Sequence, residues 1–162
     1  MRVLGIDPGL RNTGFGVIEL ISGKPKYVLS GVIATNAKDS LPERLKTILN
    51  GITSIIHDTK PKIASIEKVF VNTNPQSTLL LGQARGAAIT SCVLLDVGVV
   101  EYTALQIKKS VVGYGHAEKS QVAKMVQYLL SLNGVPKADA ADALAVALTY
   151  VHYTPKRLLV SL

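Results

Sequence analysis

The stretch MRVLGIDPGLRNTGFG, residues 1–16, decides how the rest of the chain is read. A short apolar run, Val3 to Ile6, ends in a single carboxylate, Asp7. Pro8-Gly9 is a turn pair, and a second apolar run follows from Phe15 to Ile21. The pattern predicts two neighbouring strands joined by a short turn. If the first strand is central, Asp7 projects from the rim of the sheet into the cleft there. We expect Asp7 to anchor a metal site that acids from later in the chain complete. Taken alone the motif has two other readings. An Asp before Pro-Gly can bond its own backbone in a turn, and a glycine-rich turn after a strand can cradle a nucleotide phosphate.

Working outward, residues 2–7, 14–21 and 27–35 read as three strands. Turn signals at Pro8-Gly9 and Ser22-Gly23-Lys24-Pro25 separate them, and connections this short make an antiparallel meander. Ser40 and Glu43 have capping-box spacing. Leu41, Leu45, Ile48, Leu49, Ile52, Ile55 and Ile56 then recur at helical intervals until Pro61. Lys62 to Ile66 is a fourth strand, ending in Glu67. A helix between two strands of one sheet implies a right-handed parallel crossover. Glu67 thus ends a second strand as Asp7 ends the first, and both carboxylates should emerge at the carboxyl rim where α/β sheets bind ligands.

Residues 68–74 form a loop, and Asn74 and Pro75 suit the cap and first turn of a helix running to about Leu95. Leu79, Leu80, Leu81, Ala84, Ala87, Ala88, Ile89, Val93 and Leu94 make that helix apolar nearly all round. Such a helix is either central or packed against a second molecule. Gly82 and Gly86 allow close approach either of its own sheet or of a dimer partner. Val97 to Tyr102 is a fifth strand, followed by helical stretches at 104–112 and 118–130 on either side of Gly113-Tyr114-Gly115-His116. After the break at Asn133-Gly134-Val135-Pro136, a last helix begins near Asp139 and runs through Val151, and Lys156 and Arg157 close a basic tail. No repeat or linker interrupts the chain, so residues 1–162 are expected to be one domain. The order of elements predicts an α/β fold of the ribonuclease H-like kind: a five-stranded mixed sheet, antiparallel meander then parallel crossovers, flanked by helices.

Asp139 and Asp142 stand three apart and share a helix face. In isolation, acids in a first turn serve the helix dipole. Here Ala138, Ala140, Ala141, Ala143 and Ala145 surround them, and small side chains let the helix lie close on the sheet, at the rim that carries Asp7 and Glu67. Four clustered carboxylates need cations to offset them. Two Mg²⁺ ions would do so with oxygen ligands alone, and a pair about 4 Å apart can clamp a phosphodiester.

Composition narrows the choice. A chain of 162 residues, 48% hydrophobic, can bury a real core. No apolar run approaches bilayer length, and Arg2 and Asp7 leave no room for a signal-peptide core. The single cysteine, Cys92, excludes an intramolecular disulfide and a Cys-based zinc site, and its apolar neighbours make it a core residue. A cytoplasmic protein without membrane contact is expected. The net charge of +7 suits a polyanionic partner.

GIDPGLRNTGFG, then IEKVF with NTNPQSTLLLGQARG, then VVGYGHAEKSQV, then ADAADALAVAL resemble, in order and spacing, the RuvC Holliday-junction resolvases. The resemblance runs through nearly the whole chain. It implies a homodimeric endonuclease of recombination and repair. The reaction implied is Mg²⁺-dependent nicking of two opposed strands of a four-way DNA junction, leaving 5′-phosphate and 3′-hydroxyl ends, with Mn²⁺ able to substitute. RuvA and RuvB are the implied branch-migration partners. Asp7, Glu67, Asp139 and Asp142 match the family's catalytic, metal-holding acids. Phe70 matches a position that stacks on bases near the junction centre, with a core Phe as the rival reading. Lys108 and Lys119 match phosphate-contacting positions, and solvated lysines are the alternative. Arg85 is a further candidate DNA contact, with a helix-surface ion pair as its rival. The 76–95 helix is the candidate dimer interface, and a charge at Leu80 or Ala84 is expected to weaken it. Three other functions stay open: an actin-like or sugar-kinase-type nucleotide hydrolase, a junction-binding module without catalysis, and a ribonuclease H-like nuclease on RNA–DNA hybrids.

Overall fold

In the computed structural model, which describes residues 1–70 and 73–155, the chain runs β1 (Arg2–Asp7), β2 (Asn12–Ile21), β3 (Lys24–Ala34), α1 (Leu41–Thr59), β4 (Ile63–Glu67), α2 (Pro75–Leu94), β5 (Gly98–Tyr102), α3 (Ala104–Val112), α4 (Lys119–Leu130) and α5 (Ala138–Tyr153). Lys156 and Arg157 of the expected tail, and Val71 and Asn72 of the expected loop, lie outside the described residues. The five strands form one sheet in the order β3-β2-β1-β4-β5. β1, β2 and β3 pair antiparallel, and β1, β4 and β5 pair parallel, as the order of elements predicts.

Local chemistry sets the boundaries. Ser22 (φ 52°) and Gly23 (φ 74°) make a two-residue turn whose twist suits a hairpin. β3 therefore begins at Lys24 and not at 27, and Pro25 is tolerated because β3 is an edge strand. The Glu43 carboxylate accepts from the Ser40 backbone N–H at 2.9 Å and from Ser40 Oγ at 2.7 Å, closing the start of α1. Asn74 caps α2 by accepting from the Ser77 N–H, and Pro75 occupies its first turn.

The sheet is covered on both faces. Leu4, Ile6, Val17 and Ile66 pack with Ile48, Ile52 and Ile56 of α1 and Ala84, Ala88 and Cys92 of α2. Cys92 is buried, as expected, and burial pushes its thiol up to about 12. On the opposite face Val3 and Ile18 pack with Val122 and Val126 of α4 and Leu144, Val146 and Leu148 of α5. Alternation along β1 therefore turns Leu4 and Ile6 one way and Val3, Gly5 and Asp7 the other. A buried hydrogen bond ties the α5 layer to β4: Ser65 Oγ donates to the Val146 carbonyl at 2.8 Å. Ser65→Ala should lower stability by about 1 kcal/mol, read as a shifted urea midpoint with unchanged slope.

One expectation about α2 is corrected. A Cβ built at Gly82 or Gly86 would meet nothing within 4 Å, so these glycines do not admit the protein's own sheet. Ala84 is fully buried on the inner side, so a charge there would damage the core and would not probe a dimer seam. The outward stripe carries Leu79, Gly82, Gly86 and Val93, with Leu79 and Val93 well exposed.

Candidate active site

The paired register brings the first two acids together. β1 and β4 pair in parallel from Val3↔Ile63 to Ile6↔Ile66, so Asp7 and Glu67 are the next positions at the same rim. Parity puts both on the α5 side, since Gly5 meets α5 and Ser65 bonds it. The helix itself is seated by three glycines. A Cβ at Gly5 would overlap the Ala143 carbonyl and lie 2.7 Å from the Ala147 nitrogen. One at Gly16 would lie 2.7 Å from the Leu144 side chain, and one at Gly14, the pairing partner of Asp7, would overlap the Asp139 carbonyl. These bare positions form a trough, and the stripe Asp139, Asp142, Ala143, Val146 and Ala147 at i, i+3, i+4, i+7 and i+8 lies over it. The first turn of α5 therefore overhangs the strand ends.

Asp7, Glu67, Asp142, Lys108 and Lys119 line an open cleft of about 330 Å³ there. Asp139 does not line that cleft, but its charge acts on Asp7. A larger hollow of about 580 Å³, between β3 and the 132–137 turn, carries no carboxylate on its walls, so the acids converge on the smaller one.

The cleft is electrostatically frustrated. Burial first, then Asp142, Glu67 and Asp139, push the Asp7 carboxyl from its ordinary 3.8 up to about 7, with Lys119 opposing. Glu67 is raised by burial and by Asp142, against the pull of Lys119 and Lys108. Lys119 Nζ donates to Asp142 Oδ2 at 2.8 Å, and that bond holds the ammonium above its ordinary range. The lysine is 79% exposed and the aspartate 19%, so the cation reaches in from solvent. Among the described residues no three acids gather closely enough to share one ion in this arrangement. The donor set still fits a hard divalent cation: oxygens only, mutually repelling, with the Asp7 carboxyl pushed up to about 7 by burial and then by its acidic neighbours.

Around the cleft, Phe70 is 69% exposed and so is not the core residue of the rival reading. Lys108 lines the wall. Arg85 takes the ion-pair arrangement that was its rival reading: its guanidinium pairs with the Glu101 carboxylate, and its Nε donates to the Glu67 carbonyl at 3.3 Å. Sequence reasoning missed Glu101, Ser65 and the glycine trough. Only the glycines left a signal, Gly5, Gly14 and Gly16 recurring on alternate positions of two paired strands. No helix among the described residues is long and apolar enough to cross a membrane.

Comparison with known proteins identifies the family of this chain. A family model described as "Crossover junction endodeoxyribonuclease RuvC" matches residues 3–150. The crossover junction endodeoxyribonuclease RuvC of Dechloromonas aromatica (strain RCB) is 62% identical over 151 residues, 93% of this chain and 84% of that protein. Its counterpart in Cupriavidus metallidurans is 60% identical over 152 residues, 94% and 84% of the two chains. Among solved structures, T. thermophilus RuvC in complex with Holliday junction substrate superposes with a TM-score of 0.89 at 32% identity, covering 94% of each chain. The yeast mitochondrial Holliday junction resolvase Ydc2, at 11% identity and a TM-score of 0.68 over 98% of this chain and 82% of that one, shares the fold.

Proposed function

Because this chain belongs to the RuvC family of crossover junction endodeoxyribonucleases, we propose that its rim of four carboxylates hydrolyses phosphodiesters at the centre of a four-way DNA junction. It is a nuclease that resolves Holliday junctions in recombination. The supporting observation is the convergence of Asp7, Glu67 and Asp142 in one cleft, with Asp139 acting on Asp7, in a chain of net charge +7. Residues 1–162 are proposed to act as one nuclease domain working in the cytoplasm, with RuvA and RuvB as branch-migration partners.

The proposed cofactor is two Mg²⁺ ions, replaceable by Mn²⁺, which when bound would acidify a water and polarise the phosphodiester. Asp7 and Glu67 from the strands and Asp139 and Asp142 from α5 would hold them. Lys119 and Lys108 receive the scissile phosphate: both stand on the cleft wall, and Lys119 is fixed on Asp142 while its stem remains in solvent. Phe70, beside Glu67 and exposed, stacks on bases that a junction leaves open. The two cuts are symmetric and leave 5′-phosphate and 3′-hydroxyl ends.

Two equivalent strands call for two equivalent sites, which a C2 dimer supplies. The outward stripe of α2, with exposed Leu79 and Val93 and two bare glycines between them, is the proposed seam. Leu79→Glu should weaken dimerisation by roughly 10-fold or more, and sedimentation showing an unchanged dimer would refute the assignment.

The function is tested by cleavage of a labelled four-way junction, with a linear duplex and an RNA–DNA hybrid alongside, in Mg²⁺, Mn²⁺ and EDTA. Paired nicks in the junction alone, absent in EDTA, are expected. Tight junction binding without cleavage under either metal would favour a non-catalytic module, and preferential hybrid cleavage would favour the other nuclease.

A further inference from the structure

We infer that Arg85 and Glu101 form a clamp that sets the position of Glu67 from the opposite face of the sheet, making Arg85 a positioning residue for hydrolysis and not a DNA contact. The inference rests on Glu67 being one of the metal-holding acids. β4 is a five-residue strand, and its register with β1 stops at Ile66, one residue short of Glu67. Beyond Glu67 the chain leaves the sheet for the loop that carries exposed Phe70. On the β5 side the end of β4 is held by the Lys68 N–H donating to the Tyr102 carbonyl at 2.8 Å. Arg85 adds a bond at the Glu67 carbonyl itself, 3.3 Å from its Nε.

The guanidinium is in turn fixed by Glu101, which stands opposite Ile66 on β5. α2 packs on the face that buries Leu4, Ile6 and Ile66, whereas the Glu67 side chain lies in the cleft on the α5 side. The clamp therefore grips the backbone from behind and leaves the carboxylate free to face its ligands. Neither Arg85 nor Glu101 lines the cleft. A planar fork of donors can hold a carbonyl and a carboxylate at once, which an ammonium on a flexible stem does poorly. The Glu101 side chain is 38% exposed and the Arg85 side chain 20%, so removing the Glu101 charge disturbs the fold less than removing Arg85, and loss of the clamp should register in metal binding and turnover.

The test compares Arg85→Gln, Arg85→Lys, Glu101→Gln and Glu67→Gln with the unaltered chain. The readings are Mn²⁺ affinity by electron paramagnetic resonance, junction affinity in Ca²⁺, and kcat for cleavage. Arg85→Gln should weaken Mn²⁺ binding and lower kcat each by roughly 10-fold, the scale typical of groups that orient metal ligands, with junction affinity within about twofold. Arg85→Lys should recover only part of the loss, and Glu101→Gln should shift both readings the same way by a smaller factor. Should Arg85→Gln fail to fold, the exposed Glu101→Gln decides the matter by the same two readings. Weakened junction binding with kcat and Mn²⁺ affinity intact would make Arg85 a DNA contact and overturn the inference, as would no change in any reading. If Glu67→Gln itself leaves Mn²⁺ affinity unchanged, the assignment of the site has failed; if only the Arg85 and Glu101 variants are silent, the clamp alone has.

Discussion

Asp7→Asn is expected to lower junction cleavage by about 10³-fold or more, the scale on which removing a group at a reacting centre acts, and at the same time to stabilise the metal-free protein above neutral pH. The two effects share one cause. Asp7 sits among Asp142, Glu67 and Asp139 in a partly buried cleft, and its carboxyl is pushed from 3.8 to about 7. Folding thus raises its affinity for a proton. Between about pH 4 and pH 7 the folded chain holds a proton that the unfolded chain has released, so this group makes stability fall as pH rises through that window and stay low above it. The penalty at full ionisation is on the order of 2–4 kcal/mol. Asparagine has a similar shape and no charge, so the variant in EDTA should unfold at higher urea than the unaltered protein at about pH 8 and at a similar concentration at about pH 4. Adding Mg²⁺ should raise the midpoint of the unaltered protein more than that of the variant, as expected of an ion held by the folded carboxylates and not by the unfolded chain. Parallel pH profiles for the two proteins in EDTA would show that Asp7 carries no such burden. Cleavage within a few-fold of the unaltered enzyme would remove Asp7 from the site.

Gly5→Ala should be the most damaging single methyl in the molecule, costing about 3 kcal/mol or more and taking cleavage with it. The added carbon would overlap the Ala143 carbonyl and stand 2.9 Å from the Ala147 Cβ. The obstructing atoms are backbone and a side chain with no rotamers, so nothing can swing aside. α5 would have to lift from the sheet at its middle, where Leu144, Val146 and Leu148 are sealed from solvent. The helix also carries Asp139 and Asp142, so displacement at Gly5 moves half of the carboxylates away from the other half. Gly14→Ala tests the same trough at its rim, against Asp139 itself, and should cost activity in greater proportion to stability. Urea midpoints and cleavage rates of the two variants check this. A Gly5→Ala protein of near-normal stability would mean that the α5–sheet contact is far looser than the packing described here.

Much of this molecule was legible in one dimension. Strands ending in Asp7 and Glu67, the helix between them and the right-handed crossover rule together put two acids at one rim, because parallel register depends on topology more than on side-chain detail. The capping pairs Ser40–Glu43 and Asn74–Pro75 marked helix starts because capping is chemistry between near neighbours. Asp139 and Asp142 shared a face because 3.6 residues make a turn. α2 was less legible. Apolar residues all round it left periodicity with no face to choose, so Ala84 read as a surface position although it is buried, and Gly82 and Gly86 read as possible seats for the protein's own sheet although both face away from it.

The chain's own order of residues thus determined the fold class, the strand ends that carry Asp7 and Glu67, and the helix face that carries Asp139 and Asp142, since each follows from local periodicity and short connections. Tertiary structure alone decided how deeply α5 sinks into the trough of Gly5, Gly14 and Gly16, that Lys119 settles on Asp142, and that Arg85 reaches the carbonyl of Glu67 and the carboxylate of Glu101. Those contacts join residues from about 16 to more than 120 positions apart. A charge or a missing side chain meets its partner there only after the whole sheet has closed, and no pattern within one helical turn or one hairpin can register it.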